Sequence, residues 1–391
     1  MIDDAIALGV RHAGLNVSLA QLIEPAAKPD SIRFTSDGRE FTFDARSIAD
    51  LDARVKQLSD AGVVVYFILL AYETHDPARD AFLLHPGYDR ASKTHDLSAF
   101  NTATPDGLAW FRATIEFLAQ RYSGADASHG RVWGYIVGNE VNSHWFWYNI
   151  GRVPLEKIAD EYERAVRIVH VAVRKASANA RVYLSFDHFW AKRYEAAAPD
   201  QTVPGRALLD EFARLARARG DFDWHVAHHP YPDNLLEPRF WLDKHAPQSD
   251  DAPVVSFKNL EVLTHHLARP ELLWNRQPRR VILSEQGFHC ADRPDGERDQ
   301  AAAFAFAWEK VARMPGIDAF ILHRHVDHSH EGVWLGLWTH KPGSVADPDR
   351  KRQMYEVFHA ADTPEQARAF EFALPVVGAK TWDEAVAALT K

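Results

Sequence analysis

Cysteine is almost missing from this sequence. Cys290 is the only one among 391 residues, so an internal disulfide bond and a zinc site built from several thiolates are both excluded. One cysteine does not distinguish a reducing from an oxidising compartment. Nothing in the sequence around Cys290 would activate a thiolate, so we expect a small buried side chain there.

The sequence also lacks an excess of positive charge and a long hydrophobic run. It has 45 Lys and Arg against 54 Asp and Glu, a net charge of −9 with neutral histidines, so we expect no nucleic-acid partner. No run reaches the roughly 18 apolar residues of a membrane span, and the first residues do not resemble a secretion signal. We therefore expect no membrane partner and a cytoplasmic location for the chain as written, or a secreted or periplasmic one if a leader was removed.

Strand-like apolar runs alternate with helical patterns along most of the chain, which is typical of βα units around a parallel sheet. With 46% hydrophobic residues, the chain can bury a large core. The predicted strands are Arg11 to Leu19, Val63 to Tyr72, the run from Val132, Arg181 to Phe189, Asp223 to Tyr231, Arg280 to Gly287 and Ile317 to His325.

Eight such strands would close into a (β/α)₈ TIM barrel, an α/β fold. We predict one barrel domain over residues 1–391, with a C-terminal extension at about 341–391 and a hairpin turning at Asp37-Gly38. Seven strands are clear. The eighth is expected in the hairpin region, before Val10, or in Phe370 to Gly378.

Polar side chains follow several of these strands. Asn139 and Glu140 end the run from Val132, Asp187 ends the next strand, and Glu285 and His323 end the last two. A barrel gathers the carboxyl ends of its strands around one concave mouth, where active sites lie. We therefore expect these residues to surround a shared pocket.

Glu140 and Glu285 are the two carboxylates that we expect to be catalytic. They lie 145 residues and three βα units apart, so their side chains can face each other across the barrel at roughly 5 Å, the separation found in retaining glycosidases. In that chemistry one carboxyl group protonates the leaving oxygen, and the other attacks the anomeric carbon.

Aromatic residues follow the same strands. Trp145, Trp147 and Tyr148 come after Glu140, and Trp338 comes after the last strand. Flat aromatic rings can stack on the apolar faces of sugar rings, but they also dominate protein cores. Both interpretations are open for each tryptophan.

Two of these segments resemble a known superfamily. "GNE" (Gly138 to Glu140) and "ILSEQG" (Ile282 to Gly287) are similar to the acid/base and nucleophile strands of clan A glycoside hydrolases, which are (β/α)₈ barrels. The resemblance implies that Glu140 is the acid/base, Glu285 the nucleophile and Asn139 a ligand of a sugar hydroxyl.

The resemblance extends to two further segments. "HHPY" (His228 to Tyr231) is similar to an element near the nucleophile of the clan, with His229 or Tyr231 as candidates, and "GVWLGLW" (Gly332 to Trp338) resembles a sugar platform. An arginine that many members carry early in the barrel has no counterpart here.

Taken together, the sequence predicts a retaining glycosidase of an oligo- or polysaccharide that needs no cofactor and no metal. The oligomeric state is not predicted. The predicted substrate-binding residues are Asn139, His228, His229, Tyr231, Trp145, Trp147, Asp187, His323 and Trp338.

Two alternatives remain. The histidines and aspartates near the strand ends are compatible with a metal-dependent hydrolase or isomerase on the same barrel, since imidazole is the commonest metal ligand. The residues concerned are His228, His229, His323, His325, His328 and His330, with Asp187 and Asp327. A non-catalytic carbohydrate-binding barrel is the second alternative.

Overall fold

The computed structural model describes residues 1–92 and 95–390. Lys391, the last residue of the predicted C-terminal extension, lies outside the described residues. The strands are β1 (His12–Ser18), β2 (Ile32–Ser36), β3 (Arg39–Phe43), β4 (Val64–Tyr72), β5 (Leu97–Ser98), β6 (Val132–Val137), β7 (Arg181–Phe186), β8 (Trp224–His228), β9 (Val281–Leu283), β10 (Ile317–Phe320), β11 (Trp338–His340) and β12 (Pro348–Lys351).

Helices follow most of the strands. They are α1 (Ile2–Ala7), α2 (Leu19–Leu22), α3 (Ala45–Asp60), α4 (Pro77–Leu83), α5 (Pro105–Ser123), α6 (His144–Trp147), α7 (Leu155–Ala176), α8 (Gly205–Ala218), α9 (Glu261–Leu267), α10 (Gly296–Val311), α11 (Gln353–Ala360), α12 (Gln366–Phe370), α13 (Ala373–Val377) and α14 (Trp382–Leu389). Short 3₁₀ turns lie at Val141–Ser143, Phe240–Leu242, Phe257–Asn259 and Pro270–Leu272.

The main sheet has the strand order β1-β4-β6-β7-β8-β9-β10, and all of these neighbours are parallel. The strand order follows the chain order, with helices between most strands, which is the topology of a TIM barrel. The predicted α/β barrel fold is confirmed. The carboxyl ends of β6 and β9, which precede Glu140 and Glu285, lie at the same end of this parallel sheet.

Local sequence explains several boundaries. Thr104 accepts a hydrogen bond from the backbone N–H of Gly107 at 3.1 Å, and Pro105 opens α5, as expected for an N-cap followed by a proline. The hairpin of β2 and β3 turns at Asp37 and Gly38, with φ of 50° and 75°. Two residues with positive φ are what a tight hairpin turn requires, so this prediction is also confirmed.

The sheet separates two apolar cores. One lies between the sheet and the helices. The other fills the barrel interior with one side chain from each of six strands: Tyr66, Ile136, Tyr183, Ala227, Ile282 and Ala319. Gly134 makes this packing possible, because a Cβ there would lie 2.3 Å from the ring of Tyr66.

Within the described residues, the sheet is open between β1 and β10. A cavity of about 620 Å³ separates these strands, lined by Ala13 and Leu15 on one side and by Ile317 and Ile321 on the other. Both strands are only partly buried, whereas β7, β8 and β9 are almost completely buried. The gap therefore corresponds to one strand of an eight-stranded barrel.

The three segments expected to supply the eighth strand do not do so. The hairpin forms its own two-stranded sheet, and the residues before Val10 form α1. The segment Phe370 to Gly378 forms the end of α12 and then α13, and Gly378 stops α13 with φ of 82°. The expectation of a strand there was wrong, because a short apolar run fits a buried helix as well as a strand.

The C-terminal helices pack on the barrel. Helices α11, α13 and α14 all contact α10, and Phe370 and Leu389 are buried in the outer core. The single domain with an extension at 341–391 stays a prediction. Among the described residues, no helix combines the length and the hydropathy needed to cross a membrane.

Candidate active site

A tight turn after β6 positions Glu140. Gly138 has φ of 77° and Glu140 has φ of 41°, so the chain turns sharply where the strand ends. A Cβ on Gly138 would lie 2.6 Å from the ring of Tyr148. The backbone N–H of Glu140 donates to Oγ of Ser185 at 3.0 Å, which fixes the turn against β7.

Glu285 follows β9 and is held by a tyrosine. The hydroxyl of Tyr231 donates to Oε1 of Glu285 at 3.1 Å. Burial alone would raise the pKa of Glu285, but the imidazoles of His323 and His229 and the Tyr231 hydroxyl outweigh it and lower this pKa. The surroundings therefore favour the ionised carboxylate, the form that a nucleophile needs.

Glu140 and Glu285 face each other. One carboxylate oxygen of each and one ring nitrogen of His229 all lie within 4.8 Å of one another. This approach of the nearest oxygens is closer to the separation of about 5 to 5.5 Å between the carboxyl groups of retaining glycosidases than to the 6.5 to 9.5 Å of inverting ones.

His229 lies beside both carboxylates. Its Nδ1 lies 2.9 Å from Oε1 of Glu140, and its backbone N–H donates to the carbonyl of Phe186 at 2.9 Å. Burial would lower the pKa of His229, but the charges of Glu285 and Glu140 outweigh it and raise this pKa. A protonated imidazole here would partly balance the negative charge of the pair.

Asp187 lies behind Glu140. It is 6% exposed, and its carboxylate accepts hydrogen bonds from the side chains of Asn142 and Ser143 and from the backbone N–H of Phe189. Burial and the nearby charge of Glu140 raise the pKa of Asp187 to about 7. Asp187 thus braces the turn that follows Glu140.

Sequence reasoning missed two groups beside Glu285. Glu331 forms an ion pair with Arg324 and lies 3.6 Å from Nε2 of His323. Tyr72, the last residue of β4, lies close enough to Glu285 that burial and this carboxylate raise its pKa. Glu331 carries no pattern that would have marked it, whereas Tyr72 ends a predicted strand, which is a usable signal.

The three predicted sugar-stacking tryptophans have different surroundings. Trp145 is 6% exposed, and the guanidinium of Arg152 lies 4.7 Å from its ring centre. Trp147 stacks on His95, with ring centres 3.7 Å apart. Trp338 donates to Asp4 at 2.9 Å and packs edge-on against Tyr355. Their roles in substrate binding stay predictions.

The predicted polar ligands also differ in their exposure to solvent. Asn139 is partly exposed beside Glu140, and His323 is partly exposed beside Glu285. His228 is 2% exposed, and its Nε2 lies 2.9 Å from the carbonyl of Val255, so the main chain already occupies this nitrogen.

The structure does not bring the histidines of the metal hypothesis together as one set. His325 lies 2.6 Å from Asp4, and Asp327 pairs with Arg352. Within residues 1–92 and 95–390, the group whose ligand atoms are close enough to hold a metal ion is Glu140, His229 and Glu285. Of these, only His229 was among the residues of that hypothesis.

A family model described as a family of unknown function, DUF5722, matches residues 1–385. The chain belongs to the DUF5722 family. No curated protein matches the chain.

Several solved structures are similar to this DUF5722 member. A family 39 glycoside hydrolase from the gut symbiont Bacteroides cellulosilyticus WH2 matches with a TM-score of 0.56 and 12% identity, over 93% of this chain and 60% of the other. A hyperthermophilic beta-glucosidase from Pyrococcus furiosus gives 0.55 and 14%, over 95% and 85%. A family 1 beta-glucosidase from Thermotoga maritima gives 0.55 and 10%, over 94% and 85%.

These likenesses concern the fold. At 10% to 14% identity, a shared barrel does not by itself define a shared reaction. The chain spans three fifths of the length of the family 39 enzyme. The resemblance to the clan A barrel is confirmed as a resemblance of fold, and the reaction has to be argued from the site.

Proposed function

We propose that this protein is a retaining glycoside hydrolase that acts on an oligo- or polysaccharide. The main support is the narrow gap between Glu140 and Glu285, since one carboxylate oxygen of each lies within 4.8 Å of the other. So narrow a gap leaves little room for a water molecule between the carboxyl groups, which supports attack by the second carboxylate itself.

In the first step, a carboxylate oxygen of Glu285 attacks the anomeric carbon. The glycosidic C–O bond breaks, and the carboxylic proton of Glu140 passes to the leaving oxygen. This yields a glycosyl ester on Glu285 and a carboxylate on Glu140. The lowered pKa of Glu285 favours the required ionised nucleophile.

In the second step, Glu140 takes a proton from water while the water oxygen attacks the anomeric carbon. The ester bond breaks, and Glu285 leaves as a carboxylate. Two displacements at one carbon retain its configuration. Glu140 has then regained its proton, and the cycle is complete.

A screen of aryl glycosides and oligosaccharides, with the first-formed anomer followed by NMR, tests this proposal. We expect net retention, and we expect Glu285→Gln to lose turnover while still binding substrate. Formation of the inverted anomer would overturn the mechanism. Binding of sugars without any turnover would favour the non-catalytic carbohydrate-binding barrel.

The cluster of Glu140, His229 and Glu285 also favours a second candidate, a metal-dependent hydrolase. Two carboxylates and an imidazole are common ligands of divalent transition metals. Dialysis against EDTA distinguishes the two candidates: a carboxylate-pair glycosidase keeps its activity, whereas a metal-dependent hydrolase loses it and recovers it on addition of Zn²⁺ or Mn²⁺.

A further inference from the structure

A second, polar cavity opens at the same end of the sheet as Glu140 and Glu285. It has a volume of about 740 Å³, and its lining includes Asn16, Gln21, Glu24, Lys28, Tyr72 and Arg79. We call it the β1–β4 groove. Its size is within the range of about 300 to 1,000 Å³ that is usual for small-molecule sites.

The groove lies at the mouth of the barrel. Asn16 is near the carboxyl end of β1, and Tyr72 is the last residue of β4, so both lie at the rim that also presents Glu140 and Glu285. Tyr72 connects the two regions, because it lines the groove and is also close enough to Glu285 to respond to its charge.

One wall of the groove is held in place by Arg79. Its Nη2 donates to the backbone carbonyls of Ala20 and Ile23, at 2.5 and 2.6 Å. These bonds hold α2, which carries Gln21, and Ile23, which precedes Glu24; both Gln21 and Glu24 border the groove. A wall held in this way is preorganised, so a ligand has less ordering cost to overcome.

The charges of the groove are largely compensated within the protein. Lys28 lies 3.0 Å from Glu24, and Glu73 pairs with Arg90 at 2.6 Å. The carboxylate of Asp44 accepts from the backbone N–H of Ser47 at 2.7 Å. With both signs present and each of these charges engaged by the protein, Arg79 by backbone carbonyls, the groove favours a neutral ligand rich in hydroxyl groups over a phosphate or a polycation.

We propose that the β1–β4 groove binds neutral sugar units of the substrate that adjoin the ring held at Glu140 and Glu285. Asn16 and Gln21 are the exposed amides of this groove, and an amide can both donate to and accept from a sugar hydroxyl. The substrate class is then a neutral oligosaccharide chain, not a single-sugar glycoside. This inference rests on the proposed glycosidase function.

The test compares kcat/KM for neutral oligosaccharides of two to five units with kcat/KM for the aryl glycoside of the same single sugar. We expect the ratio to rise with chain length in the unaltered protein. Asn16→Ala and Gln21→Ala should each lower the ratio for the longest substrate about three- to tenfold, as expected for the loss of one hydrogen bond.

Asn179→Ala is the matched control. Asn179 is also an exposed amide, but it precedes β7 and so lies at the amino-terminal end of the strands, away from the groove. It should leave the ratio unchanged. A ratio that does not depend on chain length, or that Asn16→Ala and Gln21→Ala leave unchanged, would overturn the groove proposal while the glycosidase proposal stands. If no glycoside is cleaved, the glycosidase proposal fails, and calorimetric titration of Glu285→Gln with the longest oligosaccharide still shows whether the groove binds sugar.

Discussion

The hydroxyl of Tyr231 donates a hydrogen bond of 3.1 Å to Oε1 of Glu285. Tyr231 follows β8 and Glu285 follows β9, so this bond joins two neighbouring strand ends. In the proposed mechanism, Oε2 of Glu285 is then the oxygen that attacks the substrate, while Tyr231 holds Oε1.

Replacement of Tyr231 by phenylalanine should slow the formation of the glycosyl ester. A hydrogen bond to a charged group contributes about 1.5 to 3 kcal/mol, so we expect kcat/KM to fall roughly ten- to hundredfold. Tyr355→Phe is the control, since its hydroxyl donates to Asp4 instead, at 2.9 Å. Equal effects of the two substitutions would contradict a role of Tyr231 at the nucleophile.

Glu140→Ala should separate substrates by their leaving group. General-acid catalysis typically contributes 10²- to 10⁴-fold, and we expect a loss of this order for sugar leaving groups. A dinitrophenyl leaving group needs no proton, so ester formation from such a glycoside should be nearly unaffected. Added azide should then speed turnover of the ester and give a glycosyl azide with retained configuration, detectable by NMR. A uniform loss for all leaving groups would argue against Glu140 as the acid/base.

His323→Gln should shift the acidic limb of the pH profile. His323 helps to lower the pKa of Glu285, so its removal raises that pKa, and the nucleophile becomes protonated at a higher pH. The profile of kcat/KM reports groups of the free enzyme, and its acidic limb should move upward. His265→Gln, an exposed histidine on α9, should leave the limb in place. No movement with His323→Gln would show that another group controls this limb.

Asp187→Asn should change how stability depends on pH. In the folded chain Asp187 keeps its proton up to about pH 7, whereas an unfolded aspartate releases it near pH 4. Between these values the folded state binds more protons, so this residue makes the free energy of unfolding fall as pH rises. Three pKa units correspond to at most about 4 kcal/mol.

Asparagine does not titrate, so the variant should lack this contribution. Urea unfolding at pH 4, 5.5 and 7 gives the free energy of unfolding of both proteins. The difference between the two values at each pH measures the contribution of Asp187. The difference should change steadily in favour of Asp187→Asn as the pH rises. A difference that is constant with pH would mean that Asp187 is ionised in the folded protein throughout this range.

The strand pattern predicted much of the barrel and its two facing carboxylates. Glu140 and Glu285 end apolar runs, and parallel strands bring such ends together whatever the details of packing. The turn at Asp37 and Gly38 and the start of α5 at Pro105 depend on local backbone preferences, which a single sequence contains.

Other features depend on contacts between distant segments. The closeness of Tyr72 to Glu285 arises only when segments far apart in the chain meet at the rim of the barrel, and the pairing of Glu331 with Arg324 depends on how the loop after β10 folds. Trp145 is buried although it follows a strand end, because residues from other loops cover it. The helical state of Phe370 to Gly378 is set by packing against α10, which a short apolar run does not reveal.

Among residues 1–92 and 95–390, the opening between β1 and β10 leaves the sheet with two free edges, where a closed cylinder has none. In the described part of the chain, no strand pairs with the cavity side of β1 or β10, so thermal fluctuations should begin there. The β1–β4 groove borders this edge, whereas Glu140 follows the third strand from it. On warming, the proposed discrimination between long and short chains should therefore be lost before the proposed glycosidase activity.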